Sequence, residues 1–280
     1  LTVILGLAAA LSWGTGDFLG GLQARYLPGF AVALWSQLAG LLGLGLVLMV
    51  LGEPPTMTGA LWGLGAGVCY GIAISSLYRG LALGIMAIVA PVSACGVVVP
   101  VLASLVSGQI PSALTAVGIV AAVGGAILAS LQIGGRSQAH RLRPALILAL
   151  YAALGFGVFF VLLDQGVAVT SGSALWIIAG ARVSSIATLL VIIVLGSHSA
   201  AWPGRRSGVV AAAGVLDTAG NALFAYSAAQ GNLGVAAVMA SLYPVATVLL
   251  GIAILKERLA LIQGAGVMLA LLGVVLISAG

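Results

Sequence analysis

Long apolar runs, broken by short polar or Gly/Pro-rich stretches, make up the whole chain. Crossing roughly 30 Å of hydrocarbon takes about 20 helical residues at 1.5 Å each. Cutting the sequence at its breaks leaves ten runs of that size, at 2–22, 30–51, 59–78, 85–107, 112–133, 144–163, 174–195, 208–228, 233–255 and 260–279. Some breaks are as brief as Arg25-Tyr26-Leu27-Pro28 or Gly52-Glu53-Pro54-Pro55, and the longest run from Gly134 to Pro144 and from Ser197 to Ser207. The runs are continuous and do not alternate at every second residue, so they predict helices and not barrel strands. The first is too long for a signal peptide and lacks a basic start, so it is expected to be the first span.

Composition narrows the class. The 280 residues are 62% hydrophobic and 5% charged, with a mean hydropathy of +1.28, whereas soluble domains carry about 25% charge. So few charges cannot cover a water-facing surface, which excludes a soluble enzyme, a nucleic-acid-binding module and a disordered chain. The expectation is an all-α membrane protein of ten transmembrane helices. Cys69 and Cys95 both lie inside apolar runs, and neither a disulfide framework nor a metal cluster can be read from them.

The net charge is +5, and its placement matters more than its size. Arg25, Arg79, Arg136, Arg141, Arg143, Arg205, Arg206, Lys256 and Arg258 all fall in or beside the loops joining runs 1–2, 3–4, 5–6, 7–8 and 9–10. The opposite loops and both chain ends hold no Lys or Arg. Positive charge is retained in the cytoplasm, so these loops are expected inside a cell (inner) membrane and both termini outside.

An internal repeat organises the ten runs. Residues 78–130 align with 226–278 at a constant offset of 148, and nine of the 53 positions are identical, among them Tyr78/Tyr226, Ser93/Ser241, Gly118/Gly266, Gly125/Gly273 and Ser130/Ser278. The register continues unbroken through a loop, placing Gln109 opposite Glu257. Five helices is an odd number, so the second copy must enter the membrane in the opposite sense. The expected organisation is two inverted five-helix repeats, at 1–133 and 145–280, joined by a loop at 134–144.

Several stretches together resemble a known family. Ala10-Leu11-Ser12-Trp13-Gly14-Thr15, Leu242-Tyr243-Pro244-Val245, and Leu255-Lys256-Glu257-Arg258-Leu259 ahead of Gly264-Ala265-Gly266 and Gly273-Val274 look like the drug/metabolite transporter superfamily, EamA type. The resemblance covers essentially the whole chain. It implies transport of small organic metabolites, commonly their export. In one departure, Gln109 stands where the family often has an acidic residue. The loop charges also argue against the cytoplasmic N-terminus common in the family.

Polar groups inside spans are costly in lipid and are functional candidates by default. Asp217 lies near mid-depth of its run with Asn221 one turn on, and Arg182 lies near mid-depth of the seventh run. Arg182 and Asp217 are expected to meet each other or a substrate in a polar cavity; a pair that only fixes packing is the alternative. Asp17, one turn after Trp13, is a candidate proton-coupling or gating carboxylate, or else a partner of the glycine-rich backbone around it. Trp13, Tyr78 and Tyr226 are the rings expected on the cavity, where aromatic faces hold an apolar body or a cationic head. Pro91, Pro100 and Pro244 interrupt the fourth and ninth runs and mark candidate gating discontinuities. The expected substrate-binding set is therefore Trp13, Tyr78, Arg182, Asp217, Asn221 and Tyr226. Asp17, Asp217 and the three prolines form the coupling and gating set.

Other classes find little support. Phosphate-loop and zinc motifs are absent, and His140 and His198 both fall in loops. A channel would call for rings of like charge or repeated filter carbonyls. An intramembrane enzyme or a channel thus remains the remote alternative. The expected function is secondary active transport of a small molecule by alternating access. An amino-acid-like or other zwitterionic solute would suit a site bearing both Arg182 and Asp217. Amines, quaternary ammonium compounds or cationic drugs are the alternative if Arg182 is tied up. No cofactor, metal or nucleic acid is expected. The expected partners are the substrate, coupling protons and membrane lipid, and the expected state is a monomer.

Overall fold

The computed structural model describes residues 1–52, 54–106, 112–130, 136–170, 174–229 and 239–280. These are helical almost throughout. The helices are α1 (Thr2–Gln23), α2 (Gly29–Leu51), α3 (Met57–Leu83), α4 (Met86–Ala94), α5 (Val98–Val106), α6 (Ala113–Ser130), α7 (Arg136–Thr170), α8 (Ala174–Leu195), α9 (Ser207–Ala229), α10 (Tyr243–Leu255) and α11 (Leu261–Ala279). A 3-10 turn at Cys95–Val97 joins α4 to α5, and together they form the fourth span. Among the described residues, eight spans are long and apolar enough to cross a membrane, while α6 and α10 are shorter apolar helices. Helix is the secondary structure that satisfies every backbone group of an isolated segment in hydrocarbon. Gln109 lies outside the described residues.

Local chemistry sets the ends. Pro28 precedes the first residue of α2, where its missing N–H costs nothing, and Gly52 ends that helix with a left-handed φ of 63°. The seventh helix in this numbering begins earlier than the sequence break at Pro144 implies. It starts at Arg136 and carries Pro144 inside it.

The helices pair in a regular way. Counting spans from one to ten, the first packs on the eighth and the sixth on the third. The second packs on the eighth and the seventh on the third; the first meets the ninth and the sixth meets the fourth. Exchanging the two sets of five turns each of these pairs into its companion, and turns the fifth–tenth and fourth–ninth pairs into themselves or their like. The fifth and tenth spans, α6 and α11, run antiparallel. A Cβ on Gly118 would strike the backbone at Gly273 and Ile277, while one on Gly125 would strike the backbone at Gly266 and Ala270. Glycine here lets two backbones touch, as small residues do between membrane helices. The buried core runs through α2, α3, α4, α7 and α8, from Val32 and Leu34 through Ile74 and Leu77 to Ile88 and Leu189.

Basic residues in or beside the 1–2, 3–4 and 7–8 loops meet the 9–10 loop's Glu257 or neighbouring rings at one end of the bundle. Arg25 pairs with Glu257 at 3.1 Å. The Arg206 guanidinium lies 4.0 Å from the Tyr26 ring centroid and donates to Gln23 Oε1 at 3.2 Å. Arg79 lies over Phe30, which also stacks with His198.

Candidate functional site

A cavity of about 50 Å³ opens between the helices at mid-depth, walled by Trp13, Tyr70, Phe156, Phe160 and Tyr243 with Asp17 and Asp217. Its lining has a simple helical origin. Trp13/Asp17 on α1, Tyr70/Ile74 on α3, Phe156/Phe160 on α7 and Asp217/Asn221 on α9 are each four residues apart, the spacing that puts two side chains on one helical face. Past Trp13, Phe156, Phe160 and Tyr243 lies a second hollow of about 220 Å³, which also reaches Ser93, Pro100 and Ser278. Ser278 is near the end of α11, so this hollow extends toward the end of the bundle opposite the basic loops.

The mid-depth charges are paired. Arg182 Nη1 lies 2.6 Å from Asp217 Oδ2 and also donates to Gln37 Oε1 at 2.7 Å. The Tyr70 hydroxyl donates to the same Asp217 oxygen at 2.7 Å, and the Arg182 guanidinium lies 5.1 Å from the Tyr70 ring centroid. Ser185 completes the set by donating to Gln37 Oε1 at 3.1 Å. Arg182 is 2% exposed and Gln37 fully buried. Groups so deep are retained only when their charges and hydrogen bonds are matched. Two donors of this cluster, Arg182 Nη2 and Gln37 Nε2, are buried without a partner among the described residues.

Backbone carbonyls of α9 hold the neighbouring helix. Trp13 Nε1 donates to the Asp217 carbonyl at 3.1 Å and Ser12 to the Leu216 carbonyl at 2.7 Å, while Asn221, within α9 itself, donates to the Asp217 carbonyl at 3.0 Å. Trp13 is therefore both a cavity wall and a tie between α1 and α9. Asp17 differs from Asp217: no hydrogen bond or ion pair reaches its carboxylate among the described residues, although it lines the cavity and is 8% exposed.

Of the residues singled out from the sequence, Trp13, Asp17, Asp217 and Asn221 line the cavity, and Arg182 lies directly behind it. Tyr78 does not reach it. That ring is buried against Gly20 of α1 and meets Ser36. Tyr226 is 43% exposed on the outer face of α9. Pro91 is buried inside α4, one turn before the 3-10 segment, and Pro100 lines the second hollow. Pro244 sits in the first turn of α10, directly after a turn at 241–242 that separates it from helical residues 239–240. Tyr70, Phe156, Phe159, Phe160, Tyr243 and Gln37 belong to the site as well. Gln37 has the clearest sequence signal, a polar residue deep in an otherwise apolar run.

At the basic end, Glu257 closes a three-way contact. Its Oε1 accepts from the Met86 amide at 3.0 Å and its Oε2 from the Ala87 amide at 2.9 Å, in the first turn of α4, while Oε1 also meets Arg25. Lys256 adopts a left-handed φ of 54°, and the Glu257 amide turns back to the Gly251 carbonyl at 3.4 Å. That turn aims the carboxylate at α4, and Gly251 leaves it room, since a Cβ there would lie 3.1 Å from Glu257 Oε2.

A multi-pass helical bundle with a charged, ring-walled pocket at mid-depth is the build of a membrane carrier. Residues 143–279 match the profile of the EamA-like transporter family, and the chain is a multi-pass membrane transporter of that family. A solved crystal structure of another protein is similar over 98% of this chain and 95% of its own, at a TM-score of 0.66 and 16% identity. That likeness shows a shared fold. No curated protein matches the sequence.

Proposed function

We propose that the chain is a secondary transporter of small solutes bearing an ammonium group, with Asp17 as the site shared by substrate and coupling proton. One observation carries this reading. Arg182 and Asp217 cancel each other at 2.6 Å, which leaves Asp17 as the uncompensated charge on a cavity walled by Trp13, Tyr70, Phe156 and Tyr243. A carboxylate among aromatic faces suits a cationic head. Proton and cation neutralise the same group, so binding one displaces the other, which is the requirement for exchange.

The symmetric helix pairing and the antiparallel α6 and α11 support two inverted five-helix halves that rock about the cavity. The Glu257 contact ties the second half to Arg25 and α4 of the first, so it serves as the closed gate at the basic end. The hollow toward Ser278 is the open path at the other end. With the basic loops in the cytoplasm, this is an outward-facing state, and loading from the cytoplasm for export requires the Glu257 contact to break.

A second reading rests on a separate observation, the unpartnered Arg182 Nη2 and Gln37 Nε2. These donors suit a carboxylate, which would make the solute a zwitterion. Thermal stabilisation of the purified protein by amines, quaternary ammonium compounds, amino acids and neutral sugars separates the cases, because a ligand of the folded state raises the melting temperature. Ammonium-bearing compounds are expected to stabilise the wild type and not Asp17→Asn. Selectivity for amino acids that is lost in Arg182→Gln favours the zwitterion. A neutral sugar that stabilises wild type and Asp17→Asn alike sinks both.

A further inference from the structure

Away from the central cavity and the hollow toward Ser278, another pocket opens on the outer wall of the bundle at its basic end. It is a groove of about 500 Å³ between α2 and the start of α9, lined by Trp35, Leu38, Leu42, Trp202, Gly208 and Val210. The lining is almost wholly apolar, and Leu42 and Trp202 are 72% and 63% exposed. The groove is built, not incidental. Trp35 Nε1 donates to the carbonyls of Ala200 and Ala201 at 3.3 and 3.2 Å, and the Trp35 and Trp202 rings meet edge to face at 4.6 Å. From Trp35 to Leu42 it follows α2 for seven residues, about 10 Å along the helix axis.

Charge at the mouth identifies the occupant. Arg205 and Arg206 lie between Pro203 and Ser207, both on the groove's rim. Arg206 is engaged by Tyr26 and Gln23. Arg205 is exposed, and no hydrogen bond or ion pair holds it among the described residues. An apolar trough running from a tryptophan-lined rim into the hydrocarbon, with an unengaged arginine at the rim, matches one acyl chain and one anionic headgroup.

We infer that this groove binds an anionic phospholipid of the surrounding bilayer, its acyl chain lying along α2 and its phosphate meeting Arg205. The site is distinct from the transport cavity and does not depend on which solute that cavity takes. It sits where α2, which supplies Gln37 to the central cluster, packs on α9, which supplies Asp217.

Quenching of tryptophan fluorescence by brominated lipids tests this directly, because Trp35 and Trp202 line the groove. The protein is reconstituted in vesicles in which brominated phosphatidylglycerol or brominated phosphatidylcholine replaces increasing fractions of the unbrominated lipid. The wild type is expected to prefer phosphatidylglycerol by about fivefold, the factor one basic residue contributes at an anionic surface. Arg205→Gln is expected to bring that ratio close to one, and Arg205→Lys to keep it. A Cβ at Gly208 meets nothing within 4 Å, so Gly208→Leu fills the groove without disturbing the bundle and is expected to lower quenching by both lipids. Equal preference in the wild type, or an unchanged ratio in Arg205→Gln, overturns the proposal. So does full quenching in Gly208→Leu.

Discussion

Arg182 and Asp217, which come from adjacent spans of the second half of the chain, meet at 2.6 Å in the middle of the bundle, with Tyr70 and Gln37 of the first half closing the pair from either side. The contact is thus a joint between the halves as well as a neutralised charge. A buried pair contributes little over apolar packing, yet removing one partner strands the other. Arg182→Gln is therefore expected to destabilise the protein by about 3 kcal/mol, read as a fall in melting temperature in detergent. The double variant Arg182→Gln/Asp217→Asn is expected to recover most of the loss. Equal melting of the single and double variants would show that the pair does not act as a unit.

Glu257 holds two amides and a guanidinium at the basic end. Hydrogen bonds to a charged group contribute about 1.5–3 kcal/mol each. Loss of the charge in Glu257→Gln is expected to raise the opening of that end by about tenfold. The readout is the labelling rate of Met86→Cys, behind the Glu257 carboxylate, by an impermeant thiol reagent in a background without Cys69 and Cys95. An unchanged rate would mean that the Glu257 contact is not the gate.

The crossing of α6 and α11 leaves no room for a side chain at Gly125 or Gly266, where a Cβ would run into the opposite backbone. Overpacking typically costs about 1–3 kcal/mol. Gly125→Val is expected to lower the melting temperature, whereas Gly124→Val, whose Cβ would meet nothing within 4 Å, is expected to leave it unchanged. Equal effects from the neighbouring substitutions would remove the close-contact explanation.

Orientation has its own check. A reporter active only outside the cytoplasm, fused after Gly280, is expected to be active if the basic loops face the cytoplasm. A reporter active only inside would reverse the membrane sense of the gate and of the groove beside Arg205.

Much of this protein was legible without coordinates. Ten apolar runs predict helices because hydrocarbon leaves the backbone no other way to pair its polar groups within one segment. The mid-depth positions of Arg182 and Asp217, and the place of Asp17 within the first run, marked candidates because charge inside a span is too costly to be idle. Both conclusions rest on position along the chain; the described residues are helical with eight long apolar spans and two shorter apolar helices, and Asp17 and Asp217 line one cavity with Arg182 behind it.

Rotation about each helix axis is another matter. Tyr78 and Tyr226 share a repeat position, yet one is buried against Gly20 and the other faces outward, while Tyr70, Phe156 and Phe160 turn to the cavity. In water a helix declares its inner face by an apolar stripe; in lipid the outer face is apolar too, so that signal is lost. The turn at Lys256 that carries Glu257 to α4 is likewise invisible in a run of loop residues. The sequence alone determined that the chain is a bundle of apolar helices and where along them its few charges fall. Which faces meet, and so which side chains share the cavity, the Glu257 contact and the groove, was decided by backbone-to-backbone packing between helices far apart in the chain.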